Sequence, residues 1–284
     1  MQDSLYMALI ERLPRKQFGR SVRQVVGWTG GGPIPRLAVK WFAGHYGVNL
    51  DEAELPLGEY PNLHSFFTRK LKVGARPVDM GSDVVVSPVD GVISEHGEIR
   101  DGQLTQVKGK TYPLVGLMGG EAEAAPFQGG TWLTIYLSPR HYHRIHSPVD
   151  GDIVRYDHIP GELWPVNEPS VRSVPELFCV NERLTTFVKL RGGGEVAVIK
   201  VGAVGVGHIS LSYADCRTNL PGQSRQIHVF DPPIPVVRGG ELGSFELGST
   251  VVLVFPPGKV GLEVPPVGTE ITMGRRIGLL MGES

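Results

Sequence analysis

Cysteine is nearly missing: Cys179 and Cys216 are the only two in 284 residues. Two are too few for a disulfide framework, and a reducing compartment is the simpler expectation. Long apolar runs are missing too, since no stretch reaches the roughly 18 apolar residues of a spanning helix. The opening, Met1-Gln-Asp-Ser-Leu-Tyr, has no basic segment leading into an apolar core, so no secretory signal is expected. Net charge is almost absent, −1 from 28 basic and 29 acidic residues, which excludes a chain-wide nucleic-acid footprint. Charged residues are 20% and hydrophobic residues 41%, the balance of a globular body rather than a disordered one.

What the chain has in quantity is Gly (38) and Pro (23), a composition that fits many short strands joined by turns. Residues 1–50 read as helical, with a Gly-Gly-Gly-Pro break at 30–33 and a second helix near Pro35 to His45. Residues 51–80 read as an acidic loop and a short helix around Leu63 to Leu71. From 83 onward the pattern is strands, among them Val84–Val86, Thr131–Leu137, Thr185–Leu190, Val196–Val201 and Val251–Phe255. Ser87-Pro-Val-Asp-Gly-Val-Ile returns 60 residues later as Ser147-Pro-Val-Asp-Gly-Asp-Ile. In such a turn Pro sets one backbone angle and Gly is expected to accept a positive one. The echo resembles the turns of barrel-sandwich hybrid folds. The expected class is therefore α+β and mostly antiparallel: a barrel-sandwich-hybrid-like β body with N-terminal amphipathic helices.

Charge is unevenly placed. Residues 1–50 hold seven basic residues against two acidic ones, a net of +5. Leu5, Leu9, Ile10 and Leu13 recur at helical spacing there, as do Phe18, Val22, Val25 and Val26, with Trp28 following. Two readings stay open: basic amphipathic helices lying in a bilayer interface, or helices packed on the domain with solvated Arg residues outside.

Leu247-Gly248-Ser249-Thr250 stands between a Gly-rich approach and the apolar run Val251–Phe255. A Ser hydroxyl at a strand entrance can attack the carbonyl before it, and Gly leaves that carbonyl unhindered. The N-to-O shift makes an ester. Elimination and hydrolysis then cut the chain and leave an N-terminal pyruvoyl group. An ordinary turn entering a strand explains the tetrapeptide alone equally well. Asp90 and His146 change the balance, because carboxylate, imidazole and hydroxyl are the parts that activate a nucleophile. Three histidines, His141, His143 and His146, fall within six residues; in an extended segment the first two face one way and His146 the other. Asp150, in the second turn, reads as structural. His-x-His is also a zinc spacing, but no upstream His-x-x-x-Asp accompanies it. A serine-hydrolase elbow would need a second Gly after Ser249.

The blocks His64-Ser-Phe-Phe-Thr-Arg-Lys-Leu-Lys, Arg76-Pro77, Ser87–Ile93, Tyr136–Pro148, Pro160–Asn167, Phe245–Thr250 and Phe255–Val260 resemble the phosphatidylserine decarboxylases, close to the bacterial membrane-associated proenzymes. The resemblance covers nearly the whole chain. It implies self-cleavage between Gly248 and Ser249 by Asp90, His146 and Ser249, giving a β chain 1–248 and an α chain 249–284 that remain together as a heterodimer, with further dimerisation left open. It implies a covalent pyruvoyl cofactor derived from Ser249, no metal, and a pyruvoyl-dependent carboxy-lyase that forms a Schiff base with phosphatidylserine and releases phosphatidylethanolamine. His143 is assigned to the decarboxylation step as proton donor, and His141 is left as a surface residue. The expected division is an N-terminal membrane-associating region, 1–80, and a β catalytic domain, 81–284. The expected location is the cytoplasmic side of the cell membrane, peripheral, on an anionic surface. Two alternatives are a pyruvoyl enzyme acting on a soluble amino acid, and a non-catalytic hybrid-β carrier or interaction module.

Overall fold

The computed structural model describes residues 7, 10–30, 33–105, 111–204, 208–246 and 250–282. Leu5, Leu9, Gly248 and Ser249 lie outside them. Among the described residues, 10–12 are helical and are followed by the helices α1 (Arg15–Val26) and α2 (Ile34–Tyr46). Pro35 in the first turn of α2 costs nothing, since the N–H it lacks has no partner there. Gly47 ends the helix in the left-handed region (φ 63°) and returns its N–H to the Ala43 carbonyl. The short α3 (Leu63–Phe67) is started by Asn62, whose side chain accepts the Ser65 N–H. Val39, Phe42 and Ala43 of α2 pack with Tyr60, Phe66 and Phe67 into a small core of their own.

The body is antiparallel β, as expected. One sheet runs β11 (Gln226–Val236), β7 (Gly151–Ile159), β8 (Arg183–Lys189), β9 (Glu195–Val201), β13 (Thr250–Phe255), β5 (Thr131–Tyr136), β2 (Gly91–Arg100), β3 (Gln103–Thr105) and β4 (Thr111–Pro113), with β15 (Glu270–Ile271) also paired to β2. Its path is open rather than closed into a barrel. Two three-stranded sheets flank it: β1 (Val84–Val86), β16 (Arg276–Leu280), β14 (Val260–Leu262), and β10 (Ile209–Leu211), β12 (Glu241–Phe245), β6 (Arg144–His146). Central β13 is buried at all six positions, so it reads as an unbroken apolar run instead of an alternating one. Four short helical segments, Leu114–Met118, Glu121–Ala124, Glu168–Ser173 and Leu177–Val180, interrupt a region read as strands. Pieces of four to six residues are too short to display a helical period.

Register brings the strand ends of interest together. Thr250 pairs with Tyr136 on one side and Val201 on the other, Tyr136 pairs with Val92, and Val201 pairs with Arg183. The start of β13, the end of β5 and the start of β2 therefore lie at one end of the sheet.

The sequence echo becomes a pair of crossing turns with matching bonds. Val86 N–H donates to the Pro148 carbonyl, and His146 N–H to the Pro88 carbonyl, both at 2.9 Å. Ser87 and Ser147 each close onto the carbonyl two residues on, at 2.7 Å. Asp90 accepts the Met273 N–H at 2.8 Å, and Asp150 the Arg238 N–H at 2.9 Å. Neither Gly91 nor Gly151 adopts the positive φ expected of it. Glycine is needed there for close approach: an added Cβ would lie 2.6 Å from the Tyr136 carbonyl oxygen at Gly91 and 2.2 Å from that of Lys189 at Gly151. Gly91→Ala should therefore lower unfolding free energy by about 2–4 kcal/mol. Gly97→Ala, on the same strand with its nearest neighbour at 3.5 Å, should change it by less than about 1 kcal/mol. Urea titration of both variants checks this, and equal effects would refute the close-approach explanation.

Candidate active site

The histidine loop leaves β5 at Tyr136 and returns in β6, and Ser138 organises it. The Ser138 N–H donates to His141 Nδ1 at 3.0 Å, and its carbonyl accepts from His143 Nε2 at 3.1 Å. These two bonds set both tautomers: His141 carries its hydrogen on Nε2, and His143 likewise, leaving His143 Nδ1 bare. The ring of His143 is fully buried and stacks on Phe67 with centroids 3.9 Å apart. Its Nδ1 is buried and finds no partner among the described residues. Burial, reinforced by the nearby Arg69 guanidinium and His141, holds the His143 pKa well below the ordinary imidazole value. Residues just after α3 clamp this loop: Arg69 donates to the carbonyls of Arg140 and His141, and Arg144 Nε to that of Thr68.

His146 is held from two sides. Its Nδ1 donates to the Gly239 carbonyl at 2.8 Å, and Nε2 lies 3.1 Å from the Tyr142 hydroxyl. Burial lowers its pKa, opposed by the Gly239 bond, so the ring is neutral near pH 7 with Nε2 as its basic atom. Asp90, also buried, accepts from Arg76 Nε at 2.8 Å and Nη2 at 2.6 Å as well as from Met273. Burial alone would depress the Arg76 pKa; bonds to Asp90 and Glu52 outweigh it and raise it.

Asp90, His143 and His146 thus gather at the sheet end where β13 begins. Asp90 and His146 are not hydrogen-bonded to each other; Gly239 holds the imidazole, while Asp90 holds Arg76 and the Met273 backbone. Ser249 is one peptide bond from Thr250, which is buried with a hydroxyl that meets no partner among the described residues. On the upstream side Glu246 is buried, 2.7 Å from Arg217, and its N–H donates to the His208 carbonyl. His141, expected on the surface, is largely enclosed, its side chain 10% exposed, and lines a cavity of about 890 Å³ together with Asp90 and Tyr142. Among the described residues no group of three or more His, Cys, Asp or Glu side chains is placed to hold a metal ion. Sequence reasoning missed Arg76 as the partner of Asp90, Tyr142 and Gly239 as the partners of His146, and Phe67 as the stacking partner of His143. Arg76, Tyr142 and Phe67 stand inside the recognised blocks, but nothing in a linear pattern says which of them meet.

These features define a class: an antiparallel β protein with an N-terminal helical cap and a buried, neutral histidine pair at one end of its central sheet. The phosphatidylserine decarboxylase family model matches residues 63–279. A phosphatidylserine decarboxylase proenzyme of Myxococcus xanthus is 44% identical over 284 residues, covering 99% of this chain and all of the relative. One from Anaeromyxobacter is 43% identical over 282 residues, 98% of this chain and 99% of its own. One from Brevibacillus brevis is 43% identical over 257 residues, 90% of each. The chain belongs to the phosphatidylserine decarboxylase family.

Proposed function

We propose that this chain is a proenzyme that cuts itself between Gly248 and Ser249 and then decarboxylates phosphatidylserine to phosphatidylethanolamine. The observation that carries the reading is the meeting of Asp90, His143 and His146 at the sheet end where Thr250 enters β13. In the cleavage step, neutral His146 offers Nε2 as the base for the Ser249 hydroxyl, with Gly239 fixing its tautomer. Asp90 serves as a positioning residue through Arg76 and the turn, and its charge also favours the protonated imidazole. The pyruvoyl group at position 249, once formed, supplies the electron sink for the pair left behind by carbon dioxide. A buried His143 Nδ1 with no partner among the described residues fits such a group: because the ring is held a weak base, its protonated form gives a proton readily to carbon.

The fragments have reason to stay together. The smaller one contains β13, which lies between β9 and β5, and β16, which lies beside β1. Intact mass of denatured protein tests cleavage, and release of carbon dioxide and phosphatidylethanolamine from phosphatidylserine vesicles tests the reaction. A single full-length mass together with no product would overturn the proposal.

The proposed division is a membrane-facing unit, 1–80, and a catalytic unit, 81–284, working peripherally on the cytoplasmic face of the cell membrane. Among the described residues no helix is long and apolar enough to cross a bilayer. Support for interfacial contact comes from α2, which is apolar on two faces. One face packs inward, while Ile34, Leu37 and Trp41 remain 59–62% exposed, beside Arg36 and Lys40. On α1 and just after it, Phe18, Val25 and Trp28 are exposed as well. Each apolar side chain entering the interface contributes about 1–2 kcal/mol. Replacing Ile34, Leu37 and Trp41 with Ser should weaken co-sedimentation with anionic vesicles at least tenfold while self-cleavage proceeds normally. Undiminished co-sedimentation would make the exposed face irrelevant to the membrane.

A further inference from the structure

We propose that Arg69 and His141 form an oxyanion receptor in the wall of the 890 Å³ cavity, and that its ligand is the phosphodiester of the lipid headgroup. The proposal rests on the phosphatidylserine reading above and assigns that substrate's second anion. Arg69 is 4% exposed. Its Nη atoms donate to main-chain carbonyls of Arg140 (3.0 Å), His141 (3.2 Å) and Phe66 (3.4 Å), while Nε meets no acceptor among the described residues. No described carboxylate pairs with it. The neighbouring acids are already claimed: Asp90 and Glu52 by Arg76, at 2.6 and 2.9 Å, and Glu270 by Arg140. The Arg69 guanidinium also lies over the Phe66 ring and feels the Asp90 and Glu52 charges, yet burial outweighs these and lowers its pKa, so an entering anion offsets a remaining cost.

A second donor belongs to His141, which lines the same cavity. Because the Ser138 N–H occupies His141 Nδ1, the neutral ring carries its hydrogen on Nε2. That Nε2 is buried with no hydrogen-bond partner among the described residues, and Glu270 Oε1, at 3.7 Å, is too far to accept. Two buried N–H groups that meet no partner among the described residues, on two residues that line one cavity and one of them on a cation, are the elements of a phosphate or phosphodiester site. The cavity borders the catalytic histidines, since Tyr142 lines it and reaches His146 Nε2 with its hydroxyl.

Chemistry chooses between the headgroup's two anions. Decarboxylation moves charge away from the carboxylate, so a cation fixed on that group would stabilise the ground state and slow the reaction. The phosphodiester keeps its charge throughout, and holding it aids binding without opposing the chemical step.

The test compares wild type, Arg69→Met and Arg69→Lys, with self-cleavage followed on a denaturing gel and turnover on phosphatidylserine vesicles. Inhibition is measured with soluble glycerophosphoserine and with inorganic phosphate, against chloride at matched ionic strength. Arg69→Met, which also gives up its bonds to the Arg140 and His141 carbonyls, should lower kcat, raise KM about tenfold or more and lose inhibition by glycerophosphoserine, the last two effects being those of the anion site. Arg69→Lys, keeping charge but losing the planar fork, should fall between. A mere loop brace would slow self-cleavage and kcat together and leave glycerophosphoserine inhibition intact, which would overturn the proposal. An unchanged KM would do the same. Inhibition by inorganic phosphate but not by glycerophosphoserine would overturn the headgroup assignment and make the ligand a free phosphate. If Arg69→Met does not fold, Arg69→Lys carries the test, and an unaltered KM in it refutes the site. If wild type binds phosphate, raising its melting temperature above the chloride control in an Arg69-dependent way, yet does not turn over the lipid, the function fails and the anion site stands.

Discussion

Ser249→Ala should remain a single chain indefinitely and release no carbon dioxide from phosphatidylserine. Alanine has no hydroxyl to attack the Gly248 carbonyl and none to eliminate, so the ester never forms and no pyruvoyl group follows. The loss should be total within detection, a fall of at least about 10⁴-fold, because cleavage and turnover both depend on one oxygen atom. The surroundings are prepared for that oxygen. His146 is neutral and oriented by Gly239, and β13 starts from a fully buried Thr250 in the middle of the sheet. The variant should keep the fold of the proenzyme, which circular dichroism can confirm. Two fragments in its denatured mass spectrum would place the scissile bond elsewhere.

His143→Phe should cleave itself and then fail to turn over, with decarboxylation reduced about 10²- to 10⁴-fold. Phenylalanine preserves the stack on Phe67 while removing both ring nitrogens, so packing loss does not account for the effect. Near-normal turnover would remove His143 from the reaction. The same substitution has a pH signature. The folded-state pKa of His143 lies well below the unfolded value of about 6.5, chiefly through burial. The fold therefore binds fewer protons than the unfolded chain in that window. The corresponding stability is fully present above about pH 6.5 and is lost as pH falls through the folded pKa. Urea midpoints at pH 8 and pH 5 should differ more for wild type than for His143→Phe. Equal differences would mean that His143 is not the buried neutral group described above.

The small N-terminal core is wired to the chemistry. Phe67 belongs to that core and stacks on His143, and Arg69 and Arg144 join the segment after α3 to the histidine loop. The unit proposed to meet the membrane and the residues proposed to move protons therefore share contacts, which suits an enzyme whose substrate stays in a bilayer.

Residue order alone determined much of this protein. Gly and Pro content with short apolar runs gave an antiparallel β body, and the break at 30–33 separated two helices, now α1 and α2. The repeated Ser-Pro-Val-Asp-Gly announced two equivalent turns, and the histidine cluster with Leu-Gly-Ser-Thr marked the chemistry. Each of these is a local signal, carried by backbone propensity or by residue type within a few positions. Tertiary structure decided who meets whom. Asp90 is 14 residues from its partner Arg76, and the Gly239 carbonyl that orients His146 is 93 residues away from it. Such pairs are chosen by strand register and crossing turns, which no linear pattern encodes. The same holds for Gly91, required by the Tyr136 carbonyl on a neighbouring strand rather than by its own dihedral angle, and for His141, drawn off the surface by a Ser138 N–H. Burial depends on the whole fold, so the neutrality of His143 and the burial of Arg69 without a paired carboxylate among the described residues could emerge only once the sheets and the helical cap were assembled around them.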